Sequence, residues 1–267
     1  MIELARAPRR MVSLVPSLTE SLFALGLGDR VVGVTDWCVH PADGVAGLPK
    51  VGGTKNVNLA KLRRLAPTHV LVNVDENRLD TVAALREFVP EIIVTHPCAP
   101  EDNLALIEQL RAAFGDVPGV DDRAVALREE IARELAATLP AGREAIPVLY
   151  LIWREPWMTV ARDTYLSRML ARIHWLTLPD MFGGETGAAR YPALCGDEPW
   201  LPGVQRVLLS SEPYRFDASH FAAAQALCPQ AEVQLVDGEL LSWYGPRAAA
   251  AVRYLADLVR LSGPVRG

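Results

Sequence analysis

With 267 residues, half of them hydrophobic and 22% charged, the chain has enough apolar content for one large domain or two compact lobes, and too much for a disordered protein. A net charge of −5 offers no basic surface for nucleic acid, and no run of about 18 apolar residues exists to span a membrane. The four cysteines are widely spaced and form no Cys-x-x-Cys, which excludes a zinc knuckle or a dithiol redox motif.

The first residues, Met-Ile-Glu-Leu-Ala-Arg-Ala-Pro-Arg-Arg, contain neither an apolar h-region nor a small-residue cleavage site. Together with thiols suited to a reducing compartment, they point to the cytoplasm, the alternative being a periplasmic protein whose export signal has been removed. Met11–Val15 reads as a strand. Ser17-Leu-Thr-Glu20 has the form of a capping box, opening a helix that Gly26 or Gly28 ends. Val31–Thr35, Val70–Val74 and Ile92–Thr95 are β-branched runs separated by helical segments, a βαβ pattern that implies a largely parallel sheet with helices on its faces.

From Asp121 to Leu139 the pattern changes. Leu127, Ile131, Leu135 and Leu139 recur every four residues among charged ones, with Glu129 and Arg133 at the favourable i,i+4 spacing. Asp121 or Asp122 caps the start, and Pro140 and Gly142 lie past the end. At ~1.5 Å per residue the helix is roughly 27 Å long. It reads as a rigid connector between two βαβ blocks or as a covering helix of one continuous sheet. The alternation then restarts with a strand at Val148–Ile152, a helix at Thr164–Ile173, a strand at Arg206–Leu209, a helix at Asp217–Leu227, a strand at Val233–Val236 and a final helix within Pro246–Leu261. Thr68–Glu76 and Val204–Glu212 echo each other, each running from a strand into a loop that ends in an acid. The economical arrangement is two similar α/β lobes, residues 1–118 and 142–267, joined by a helix within 119–141.

Open α/β sheets build ligand sites at the carboxyl ends of their strands. In the N-terminal half those positions are Pro16-Ser17, Asp36–Pro41, Gly52–Asn56, Asn73–Arg78 and His96–Cys98. The C-terminal half adds Trp153–Trp157, Asp163–Tyr165, Ser211–Tyr214 and Asp237–Gly245. Seven of the chain's twelve Trp and Tyr residues fall in these stretches, which points to a large, flat, partly apolar ligand. The expected ligand-binding residues are Trp37, Lys55, Asn77, Arg78, Trp153, Trp157, Tyr165, Tyr214, Trp243 and Tyr244. Trp243 and Tyr244 either stand exposed as a flat contact or close the sheet edge.

Other chemistries have less support. Cys38-x-His40 and His96-x-Cys98 contain the donors of a tetrahedral zinc site, but the spacing is unusual and Pro41 and Pro97 crowd both pairs, so no protein-held metal is expected. A single imidazole from His40 or His96 to a ligand's own metal is a related reading. There is no Gly-x-Ser-x-Gly elbow, Walker loop or Gly-x-Gly-x-x-Gly. Gly52-Gly-Thr-Lys lacks the following helix of a phosphate loop. Asp75, Glu76, Glu155, Glu212, Asp237 and Glu239 are candidate acid/base groups, although acidic rim loops are more often simply solvated.

The stretches Arg10–Gly28, Val31–Thr35, Lys50–Gly53, Asn58-Leu59 and Leu65–Val72 resemble the vitamin B12 (cobalamin) and iron-chelate binding proteins of ABC importers. The resemblance runs over roughly residues 9–262. It implies two Rossmann-like α/β lobes joined by one long helix, the class III periplasmic-binding-protein fold, which fits Asp121–Leu139. It also implies a cobalamin-like corrinoid or other metal chelate in the interlobe cleft, no intrinsic cofactor, and no enzymatic activity. Family members carry a surface glutamate on each lobe that meets arginines of the permease. The residue after Asn58-Leu59 is here Ala60, followed by Lys61, whereas Asp197 and Glu198 offer an acid on the second lobe. An ABC permease partner is therefore in doubt, and a monomeric carrier or sensor inside the cell is the favoured form of the binder. The remaining alternative is an enzyme using the acidic loops Asp75-Glu76 and Asp237–Glu239.

Overall fold

The computed structural model describes residues 9–137, 139 and 144–261. They form two compact α/β units. The first takes in residues up to His96, Leu104–Glu129 and Tyr244–Pro246; the second takes in Pro97–Asn103, Glu130–Trp243 and the residues from Arg247 on.

In chain order the elements begin with β1 (Met11–Ser13), α1 (Pro16–Ala24), β2 (Val31–Val34), α2 (Ala42–Val45), α3 (Leu59–Arg64) and β3 (His69–Asn73). They continue with α4 (Leu79–Leu85), β4 (Glu91–Thr95), α5 (Asp102–Phe114) and α6 (Val120–Ala136). The remainder is β5 (Ile146–Leu151), α7 (Tyr165–Ala171), β6 (Trp175–Thr177), β7 (Arg206–Ser210), α8 (Phe221–Leu227), β8 (Glu232–Val236), α9 (Gly238–Ser242) and α10 (Ala248–Leu261). The first sheet has the order β2-β1-β3-β4 and the second β6-β5-β7-β8, so the two units share one topology. Every pairing is parallel, with His69↔Glu91 through Asn73↔Thr95 in one sheet and Arg206↔Glu232 through Ser210↔Val236 in the other. All strands of a sheet therefore end at the same edge, where the loops gather.

The central strands are buried on both faces, as parallel sheets covered by helices require. All five residues of β7 are buried, and so are the last four of β3 and of β5. Alternate residues share a face: Val12, Leu14, Val70 and Val72 pack with Leu62 and Leu85 in the first unit. Leu149, Leu151, Val207 and Leu209 pack with Phe216 and Ala224 in the second. Edge strands β4 and β8 expose Val94 and Leu235.

Three local expectations need correction. The Ser17–Glu20 capping box does not form: α1 begins two residues earlier, with Pro16 in its first turn and Val15 as a cap without a side-chain bond. Proline's fixed φ suits the first helical position, so it sets the start and leaves Ser17 inside the helix. The other end is as expected. Gly26, at φ 77°, donates its N–H to the Phe23 carbonyl and Leu27 donates to Leu22, a Schellman closure. Second, the charged helix α6 stops at Ala136, short of Leu139; Pro140 and Gly142 lie outside the described residues. Its residues to Glu129 group with the first unit and those from Glu130 with the second. Third, β6 has no counterpart in the sequence reading. Three residues are too short for a periodic signal, and pairing with β5 defines them as a strand.

Candidate functional site

In the second unit an array of aromatic rings sits at the carboxyl ends of β5 and β7. Trp153, two residues after β5, is 42% exposed and meets Tyr214 edge-on at 5.5 Å between ring centroids. Tyr214 lies 4.6 Å from Phe216, and Phe216 stacks on Trp157 at 5.9 Å and 14°. Two bridges, Trp153↔Met158 and Met158↔Ala193, turn the chain back after β5 and so hold Trp153 and Trp157 in place. Arg154 reaches over Trp157 at 5.6 Å. Such a panel offers a partly solvent-accessible apolar surface for a flat ligand.

In the same unit, the loop after β7 and the short α9 are tied together. Asp237 caps α9 by accepting from the Leu240 N–H at 3.0 Å. The Glu212 carboxylate accepts bonds from the Ser242 hydroxyl and the Trp243 side chain, and burial pushes its pKa up. Glu239 pairs with Arg247 at 2.9 Å, and Arg247 covers the Trp243 ring at 4.7 Å.

In the first unit Trp37, after β2, is 63% exposed and lies against Gly53, where an added Cβ would stand 3.4 Å from the indole nitrogen. Lys55 donates to the Asp75 carbonyl, and desolvation lowers its pKa. Arg78 is exposed and paired with Asp80. Lys55, Arg78, Asn56, Asn58, Asp80 and Thr81 line an open pocket of about 520 Å³. His96, after β4, places Nε2 3.6 Å from the Asp75 carboxylate.

The sequence-derived residues thus separate into groups. Trp153, Trp157 and Tyr214 come together; Lys55 and Arg78 share the pocket of the first unit; Trp37 stands exposed. The others are buried and have protein partners. Asn77 donates to the Leu14 and Thr54 carbonyls and accepts from the Asn73 N–H. The Tyr165 hydroxyl is bonded to Asn103 at 3.0 Å, and burial raises its pKa. Trp243 and Tyr244 are 8% and 5% exposed, so of the two readings open from sequence the exposed pair is not the one formed. Tyr244 packs in the first unit with its hydroxyl on Glu76 at 3.2 Å. The Cys38–His40 half of the imagined zinc set does not assemble either. Cys38 is buried, with the Thr19 and Thr35 hydroxyls at 3.1 and 3.0 Å from its sulfur and its pKa raised by burial. Among the described residues neither Cys38 nor His40 joins a cluster of three potential metal ligands. The sequence reading omitted Phe216 and His220. The signal for them was the Tyr214-x-Phe216 alternation and the Asp217-x-x-His220 capping spacing.

Residues 11–183 match the family described as periplasmic binding protein. The chain belongs to this family. Among relatives of the periplasmic binding protein family, the uncharacterized ABC transporter substrate-binding lipoprotein YvrC of Bacillus subtilis (strain 168) is 29% identical over 178 residues, 65% of this chain and 56% of its own. A vitamin B12-binding protein of Pectobacterium carotovorum subsp. carotovorum (strain PC1) is 24% identical over 165 residues, 61% of this chain and 59% of its own. The alignments thus span less than two thirds of either relative. Two solved structures share the fold. The periplasmic vitamin B12 binding protein BtuF of Vibrio cholerae has a TM-score of 0.73 at 18% identity, covering 95% of this chain and 97% of its own. The periplasmic heme-binding protein RhuT of Roseiflexus sp. RS-1 has a TM-score of 0.75 at 22% identity, with the same coverage. The periplasmic binding protein fold and the binding-protein class therefore stand. The cytoplasmic expectation finds no support, because these relatives are named as a lipoprotein or as periplasmic. No helix among the described residues is long and apolar enough to cross a membrane.

Proposed function

We propose that this protein binds a metal tetrapyrrole, a corrinoid or haem, at strand-end loops of the fold, and that it does so outside the cytoplasm as the receptor of an ABC permease. The observation that carries the reading is the exposed Trp153, set edge-on to the half-buried Tyr214 and backed by Phe216 and Trp157, which presents an aromatic contact at the sheet edge where α/β folds take their ligands. In the first unit Lys55, Asn56, Asn58 and Arg78 line a polar pocket of their own. Relatives named as vitamin B12-binding and heme-binding proteins support the same ligand class.

Catalysis is the weaker reading because the acids it would need are engaged. Asp237 caps a helix, Glu239 pairs with Arg247, Glu76 receives the Tyr244 hydroxyl, and Glu212 is held by Ser242. Titration with cyanocobalamin, haemin and a ferric siderophore, followed by ligand absorbance and tryptophan fluorescence, tests the proposal. Saturable binding of a tetrapyrrole is expected; no saturable binding of any of the three overturns it.

A further inference from the structure

His220 was not anticipated as part of a ligand site, yet its surroundings tie it to Tyr214. It is 7% exposed, in the turn that precedes α8. Its Nδ1 lies 3.1 Å from the backbone N–H of Asp217, which points at it, and its Nε2 lies 3.1 Å from the Tyr214 phenol oxygen. The Tyr214 and Phe216 rings meet the imidazole edge-on at 5.5 and 5.2 Å, so the ring is confined on its sides as well as at both nitrogens.

The tautomer follows from the one partner that cannot change. A backbone N–H is always a donor, so Nδ1 must offer its lone pair; a proton there would face another proton. The Asp217 carboxylate and carbonyl oxygens also lie 3.0 and 3.3 Å from Nδ1, but that carboxylate oxygen is already shared between the Ser219 N–H at 2.9 Å and the Ser219 hydroxyl at 2.5 Å, and the Asp217 N–H closes the capping box on Nδ1. The imidazole proton then resides on Nε2 and is donated to the Tyr214 oxygen. That bond uses the phenol as an acceptor, and its own proton remains to be given to something else.

From this geometry we infer that Asp217 and His220 position Tyr214 so that its O–H donates to a carbonyl or carboxylate oxygen on the rim of the bound ligand. Tyr214 is the contacting residue and His220 the positioning residue. The shared ligand chemistry is an oxygen acceptor at the edge of a macrocycle, found as carboxylates on haem and as carboxamides on a corrinoid. Tyr214 stands beside exposed Trp153 at the ends of β7 and β5, where such a rim would pass over the aromatic panel. The inference rests on the proposed function, and its test separates the two.

Tyr214→Phe keeps the ring and loses the donor, without touching the helix cap. It should weaken binding of haemin or cyanocobalamin about tenfold, the scale of one hydrogen bond. His220→Leu should do the same, His220→Gln should recover most of the affinity because its amide can donate to the phenol, and the double variant Tyr214→Phe/His220→Leu should be no weaker than the worse single one. Melting temperatures recorded alongside separate loss of binding from loss of fold. Unchanged affinity in Tyr214→Phe, with Trp153→Ala impaired, overturns the inference and leaves the ligand site standing; additive losses in the double variant also overturn it. Absence of saturable binding by the unaltered protein overturns both.

Discussion

At the scale of single residues, the tryptophans differ more in role than the sequence suggested. Trp153 is exposed and edge-on to Tyr214, so its truncation removes contact area from the ligand surface. Trp153→Ala is expected to weaken tetrapyrrole binding by ~1–3 kcal/mol with little change in melting temperature. Trp243 is buried under Arg247 and bonded to Glu212, so Trp243→Ala should behave as a core truncation, costing ~3–5 kcal/mol of stability in a denaturant titration. A variant that binds weakly yet melts normally would contradict that placement. Glu212 adds a pH dependence of defined sign. Burial raises its pKa, so the folded state holds the proton more tightly than the unfolded chain does. Its favourable contribution is full below the ordinary carboxyl range and is lost as pH rises through the raised value. Melting curves from pH 4 upward should show this decline, and Glu212→Gln should flatten it. Equal slopes for both proteins would show that the carboxyl does not titrate as its burial requires.

At the scale of elements, strands were legible where apolar residues run together, as in Val70-Leu-Val of β3 and Val-Leu-Leu of β7, because covered parallel strands need unbroken apolar runs. The echo between Thr68–Glu76 and Val204–Glu212 marks equivalent third strands of two sheets with the same order. What was not legible depends on contacts distant in sequence. Tyr165 reads as a loop aromatic, but Asn103, 62 residues earlier, donates its amide N–H to the Tyr165 hydroxyl oxygen. Trp243 and Tyr244 read as a loop pair, yet one groups with the second unit and the other with the first. Gly238 carries a constraint of the same kind. A Cβ on this first residue of α9 would stand 2.2 Å from the Ser210 hydroxyl and 2.9 Å from the Glu212 nitrogen, so only glycine allows the helix start to approach the end of β7. Gly238→Ala is expected to destabilise the protein by ~1–3 kcal/mol and to disturb the Glu212–Ser242 contact. Denaturant unfolding measures the first effect, and loss of the pH slope assigned to Glu212 measures the second. A stable variant with an unchanged slope would mean that the loop shifts freely.

At the scale of the whole molecule, the proposed receptor role raises the question of what this surface would offer a permease. The resemblance implies an acid on each lobe facing permease arginines, and this chain departs from it on one side. Ala60 lies exposed in the first turn of α3, followed by Lys61, Arg63 and Arg64, so the local charge is positive where an acid is expected. On the second unit Glu198 is occupied, its carboxylate accepting from the N–H groups of Cys195 and Gly196 at 2.5 and 3.0 Å. Asp197 beside it is exposed, which makes it the better candidate for a contact. Removing one member of a buried charge pair typically costs ~2–5 kcal/mol, because the partner charge is left desolvated and unpaired. Against a B12-type permease this protein should therefore dock weakly, Ala60→Glu should tighten docking, and Asp197→Ala should abolish what docking there is. Co-purification with such a permease in detergent or nanodiscs, at two salt concentrations, measures all three, and the gain from Ala60→Glu should shrink at the higher salt. Tight docking of the unaltered protein that neither substitution moves would place the contact elsewhere on the surface and assign this chain a permease of different charge.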